Sequence, residues 1–268
     1  MIGSGIYRRI GWACICALLF APVAGAEPAP LTRAHAHNDY EHPHPLFDAL
    51  AQGFCSVEAD IYLTNGMLLV AHDLEKAWPS NTLEKLYLDP LLARVKQNKG
   101  HVYSKPTEFT LLIDVKSDAE PTYAALRKVL RRYRQMLTTF SNDRTDTKAV
   151  TVILSGNRAQ ETVAREKTRY ASIDGRLPDL EGSFSRHLIP WVSDNWTKHF
   201  QWRGQGPLPD ADKVKLAGIV KTAHAQGRKL RFWAVPDEET AWKELFDAGV
   251  DVLNTDRLEE MRKFLSSR

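Results

Sequence analysis

Residues 33–73 read RAHAHNDYEHPHPLFDALAQGFCSVEADIYLTNGMLLVAHD, and the rest of the chain is organised around them. In a strand, side chains at i and i+2 share a face. Glu58 and Asp60, in SVEADIYL, therefore point the same way from one predicted strand, and so do His35 and His37 in the run before it. Two carboxylates on one face repel each other, and a divalent cation is the usual partner that makes such a pair favourable. Asn65-Gly66 is the dipeptide of a tight reversal. After it the apolar run MLLVA delivers His72 and Asp73 at its end. A paired-carboxylate strand flanked by two histidines implies a bound cation and acid–base chemistry.

Outward from this stretch, short apolar runs end near Asn38, Ile61, Lys116, Ser155, Ile173, Val192, Val235 and Thr255. Helical stretches lie between most of them, as at 121–137, 210–227 and 239–249; the last two end on Gly227 and Gly249, the expected C-cap residue. Eight βα-like units in about 240 residues predict an α/β fold, a (β/α)8 TIM barrel in one domain covering 27–268. The run from Tyr170 to Ile173 has the weakest strand pattern. A doubly wound sheet is the alternative, but no Gly-rich phosphate loop follows any strand. In a barrel the C-terminal ends of the strands form the active mouth, and the residues singled out fall at such ends. Leu112, Asp114 and Lys116 share one face of the strand FTLLIDVK, which puts Asp114 and Lys116 at the mouth too. Pro45 is placed to open a helix over 45–53.

Residues 1–26 carry Arg8 and Arg9, then the apolar run ACICALLFAPVA, then Ala24-Gly25-Ala26. This is the pattern of a cleaved secretory signal, so a secreted or periplasmic protein beginning near Glu27 is expected, with no stable membrane anchor. Removing two arginines and no acids takes the formal charge from +3 to +1. That near-neutral balance gives no support for nucleic-acid binding, which needs a concentrated basic surface. Cys55 alone remains after Cys14 and Cys16 leave, so no internal disulfide forms, and its apolar setting predicts a buried small hydrophobe.

His37, Glu58-Ala59-Asp60 and His72-Asp73 together resemble the phospholipase-C-like phosphodiesterases, the superfamily of the glycerophosphodiester phosphodiesterases and phosphatidylinositol-specific phospholipases C. HNDY, LYLDPLL at 86–92 and LLIDVK at 111–116 look closest to the branch called altered inheritance of mitochondria protein 6. The resemblance implies that His37 and His72 are the catalytic pair. It implies that Glu58, Asp60 and Asp114 bind metal, with Asn38 as a further ligand; a strand-end cap is the alternative for Asn38. It makes Lys116 a cation for a phosphate oxygen, against the alternative of a plain salt bridge to Asp114. Trp233, in FWAVPD, becomes a wall of the substrate pocket, or else a buried aromatic. The Glu-Asn-Thr motif of the glycerophosphodiesterases is absent, which leaves Glu41 without an assigned role.

His35 is expected to pack or to support the site, His42 and His44 to be loop histidines, and Asp256 to cap the helix RLEEMRKF. The implied activity is cation-dependent cleavage of a small phosphodiester or a lipid head group by the two histidines. Oxygen ligands favour Mg²⁺ or Ca²⁺ over zinc. A cyclising lyase, a non-catalytic barrel that binds a phosphate ligand, and a zinc hydrolase using the His-rich loop are the alternatives.

Overall fold

The computed structural model describes residues 27–268; the signal-peptide reading, with Cys14 and Cys16, lies outside them. Eight strands pair in parallel: β1 (Leu31–Ala36), β2 (Phe54–Thr64), β4 (Phe109–Val115), β7 (Val150–Gly156), β8 (Ser172–Gly175), β9 (Trp191–Asn195), β10 (Lys229–Trp233) and β11 (Leu253–Thr255). Their order is β10-β9-β8-β7-β4-β2-β1-β11. A parallel bridge from Arg231 to Val252 brings β10 back to β11 and closes the circle. The predicted TIM barrel is therefore the observed fold.

Two short hairpins decorate it. β3 (Met67–Val70) runs antiparallel to the end of β2. The turn between them is Asn65-Gly66, with φ of 51° and 79°, as the dipeptide predicted. β5 (Thr139–Phe140) and β6 (Thr145–Asp146) form the other. The outer layer holds α1 (Phe47–Ala51), α2 (Asp89–Gln97), α3 (Ala119–Arg132), α4 (Gln160–Arg165), α5 (Trp196–His199), α6 (Asp210–Ala225), α7 (Glu239–Ala248) and α8 (Leu258–Ser266). No helix among the described residues is long and apolar enough to cross a membrane.

Three boundaries differ from the sequence reading. The helix predicted over 121–137 ends at Arg132. Beyond it the backbone of Met136 and Thr138 hydrogen-bonds to Val150, so the chain runs beside β7 instead. Pro45 does not open a helix: α1 starts at Phe47, after Leu46 at φ 67°. The Ile173 strand continues to Gly175, because Asp174 finds buried partners.

The barrel interior is layered. Leu112, Ile153, Trp191 and Val252 form a small apolar floor. Above it the inward residues are polar, and this sets the position of the site. The larger apolar core lies between the strands and the helices, where each buried Leu, Ile, Val or Phe contributes roughly 1.5–3 kcal/mol. Cys55 belongs to that core, its thiol pushed up to about 12 by burial.

Candidate active site

Glu58 and Asp60 do share a face of β2, and the pairing of β2 with β4 sets Asp60 beside Asp114. Carboxylate oxygens of Glu58, Asp60 and Asp114 all lie within 4.8 Å of one another. Asp60 Oδ1 and Asp114 Oδ1 are buried and have no hydrogen-bond partner. Burial, with mutual repulsion, pushes Asp114 up to about 6 and raises Asp60 above the usual carboxylate range, against the pull of Lys116. Glu58 goes the other way: burial would raise it, but the Arg231 guanidinium holds it far below that range. Unpartnered buried oxygens from three acids are a donor set that fits a hard divalent cation.

Arg231, which sequence reasoning did not single out, is the buried counter-charge. Its Nη1 lies 2.7 Å from His35 Nε2, 3.0 Å from Asn254 Oδ1 and 3.2 Å from Glu58 Oε2. A guanidinium only donates, so His35 Nε2 accepts and its Nδ1–H donates to Ser56 Oγ, 2.7 Å away. Burial and Arg231 lower His35 to about 4. His35 is thus a neutral strut beneath Glu58, as expected. Arg231 was readable only as the inward residue two before Trp233 on β10.

The rim is built from strand ends. The register Ala36 to Thr255 sets His37 beside Asp256, whose Oδ1 is 2.8 Å from His37 Nδ1. Burial would lower the proton affinity of His37, but the Asp256 hydrogen bond and the nearby Glu58 raise it. Asp256 is therefore no helix cap: α8 begins after Arg257 with no side-chain cap. The contact joins residues 219 positions apart, which no local pattern could report. Asn38 sits in the left-handed region, at φ 46°, and makes no side-chain cap for the turn after it. Instead its amide meets the Tyr40 hydroxyl. That hydroxyl also reaches Asp60 Oδ2 at 2.7 Å and His72 Nδ1 at 3.2 Å. Lys116 Nζ bridges Asp60 at 3.0 Å and Asp114 at 3.4 Å.

These groups surround a cavity of about 210 Å³ that includes His37, Asn38, Glu58, His72, Asp114 and Lys116. Its far wall is Trp233, half-buried, with the Arg176 guanidinium 4.9 Å from the ring centre. Arg176 is anchored by Asp174 Oδ2 at 3.1 Å and Ser155 Oγ at 3.2 Å. Neither Asp174 nor Arg176 was singled out in the sequence, because the strand pattern faded at Ile173. Larger clefts of about 420, 460 and 560 Å³ open elsewhere, but among the described residues none of them holds a comparable set of acids and imidazoles. His44 is exposed and pairs with Asp48 at 3.1 Å, and His42 and Glu41 stand outside the carboxylate cluster.

Residues 27–174 match the AIM6-like phosphodiesterase domain, and residues 229–259 match the glycerophosphoryl diester phosphodiesterase family. The chain is 33% identical to altered inheritance of mitochondria protein 6 of Eremothecium gossypii, over 87% of its own length and 69% of the relative's. It is 29% identical to a homolog of that protein from Arthroderma benhamiae, covering 87% and 82%. Among solved structures, a calcium-dependent phosphoinositol-specific phospholipase C from a Pseudomonas species superposes with a TM-score of 0.60 at 15% identity, covering 85% of this chain and 89% of that one. A glycerophosphodiester phosphodiesterase from Agrobacterium tumefaciens gives 0.50 at 16% identity, covering 88% and 100%. The two solved structures share the barrel, and the sequence matches go further: this chain belongs to the AIM6-like phosphodiesterase domain family.

Proposed function

We propose that the protein is a divalent-cation-dependent hydrolase of small phosphodiesters, with Glu58, Asp60, Asp114 and Asn38 as ligands and His37 and His72 as the acid–base pair. The observation that carries this reading is the pair of buried, unpartnered oxygens on Asp60 and Asp114 at a cavity lined by both imidazoles. An Mg²⁺ or Ca²⁺ ion held there supplies positive charge against the phosphoryl oxygens; the Pseudomonas relative is described as calcium-dependent.

The chain's own groups do the rest. Lys116, fixed between two carboxylates, offers an ammonium to a non-bridging oxygen. Asp256 holds His37 with Nδ1 protonated, so Nε2 is the nitrogen that takes a proton from the attacking water. The water oxygen bonds to phosphorus as the bond to the leaving oxygen breaks. His72 gives its Nε2 proton to that leaving oxygen, so an alcohol and a phosphomonoester result. Trp233 and Arg176 form the wall against which the alcohol portion rests. Export with cleavage near Glu27 is part of the same proposal, on the strength of the N-terminal pattern.

The test is a screen of phosphodiesters followed by ³¹P NMR, in which a monoester product supports hydrolysis and a cyclic phosphate points to attack by a substrate hydroxyl. His37→Ala and His72→Ala should each lower kcat by about 10²–10⁴-fold on alkyl diesters. A nitrophenyl diester, whose leaving group needs little protonation, should rescue His72→Ala and not His37→Ala. Absence of any diester cleavage by cation-loaded protein would sink the reading.

A further inference from the structure

No step of that reaction uses Tyr40, yet its hydroxyl stands where three site residues meet. Asp60 Oδ2 is 2.7 Å from it, the Asn38 amide 2.8 Å and His72 Nδ1 3.2 Å. A phenol has one proton to give and two lone pairs to receive, so three polar neighbours fix the pattern. Asp60 Oδ2 is a carboxylate oxygen that already accepts from Lys116 Nζ at 3.0 Å, and it takes the phenol proton. Asn38 Oδ1 is a second acceptor on the same side of the phenol proton. With that proton directed at two oxygens, a lone pair of the hydroxyl faces His72. His72 donates from Nδ1.

We propose that Tyr40 is the positioning residue of His72: its hydroxyl oxygen holds the ring in the Nδ1–H form, so that the proton exchanged with substrate is the one on Nε2. The inference rests on His72 being the general acid of the proposed reaction, and it explains how the acid is aimed. Asp256 does the equivalent for His37 with a carboxylate. Tyr40 uses a neutral hydroxyl, which at 3.2 Å is nearer to Nδ1 than Asp60 Oδ2 at 3.4 Å. When His72 gives up its Nε2 proton to the leaving oxygen, Nδ1–H stays on Tyr40 and the ring ends neutral. Without the hydroxyl, either nitrogen can lose the proton.

The experiment is ¹⁵N NMR of histidine-labelled protein above the imidazole titration range, with the His72 signal assigned by its loss in His72→Gln. Wild type should show His72 as Nδ1–H, and Tyr40→Phe should move it toward Nε2–H, the form an unconstrained imidazole favours. In kinetics, Tyr40→Phe should lower kcat by about 10–100-fold on an alkyl diester, with KM little changed, and far less on a nitrophenyl diester. A wild-type ring in the Nε2–H form overturns the proposal, as does a tautomer that Tyr40→Phe leaves unmoved, or an equal loss on both substrates. The wild-type spectrum decides even if the variant fails to fold. It decides also if no diester is cleaved, so failure of the function and failure of this inference remain distinct.

Discussion

Gly156 shows how close the backbone comes to the candidate ligands. It has φ +66°, and a Cβ built on it would lie 1.9 Å from Asp114 Oδ1 and 2.5 Å from Val115 O. Strand β7 thus presses against the carboxylate that β4 presents, and only a glycine leaves room for it. Gly156→Ala should cost about 1–2 kcal/mol for the left-handed backbone alone. It should also push Asp114 aside, weakening divalent-ion binding by about tenfold or more in calorimetry. Wild-type affinity and stability together would show that the contact is not needed. Neighbouring residues differ in how visible they were. Glu58 and Asp60 announce themselves because two positions in a strand always share a face. Asp256, Arg231 and Tyr40 do not, since their partners are chosen by barrel closure and loop geometry. Arg231 meets His35 across 196 positions.

At the scale of elements, Asp39 clamps the loop from β1 to α1 from the inside. Asp39 is fully buried, and its Oδ2 accepts from Leu46 N at 2.6 Å and from the Tyr87 hydroxyl at 2.9 Å. Leu46, at φ 67°, would otherwise relax out of the left-handed region. This clamp fixes the turn on which Asn38 and Tyr40 ride, and it explains why α1 starts at Phe47 and not at Pro45. The sequence offered proline as a helix opener; the buried carboxylate, invisible in a local reading, overrode it. Asp39→Ala leaves two buried donors without an acceptor, at about 1–3 kcal/mol each. Denaturant titration should show that loss in the midpoint. A change below about 0.5 kcal/mol would mean that the loop is held by packing. The barrel strands were more legible than the loops, because nearly every one carries an apolar run and their order follows the chain. β8 was the exception: its end is held by Asp174 with Ser155, Ser193 and Arg176, a polar network without an apolar signature.

Over the whole molecule, a cation held at the carboxylate cluster would couple to pH and to fold stability. Asp114, at about 6, and Asp60 have folded values above their unfolded one of 3.8. Their protonation therefore favours the cation-free fold: that contribution is fully present below the unfolded value and is lost as pH rises through the folded one. Glu58 is depressed, so its own contribution is fully present above its unfolded value of 4.5 and is lost as pH falls from there through the folded one. Asp39, raised to about 7 by burial, shifts the stability of cation-free and cation-loaded protein alike, because it does not touch the cluster. The difference in Tm between loaded and cation-free protein isolates the site. Protons and a divalent ion compete for the same oxygens, so this difference should be small near pH 4 and grow toward pH 7. Affinity should fall by about tenfold per pH unit for each proton displaced. Asp114→Asn should flatten the dependence, since it removes the carboxyl that burial pushes up to about 6. Scanning calorimetry with Mg²⁺ or Ca²⁺ across that range is the measurement. A Tm difference independent of pH would show that the ion does not bind at these carboxylates.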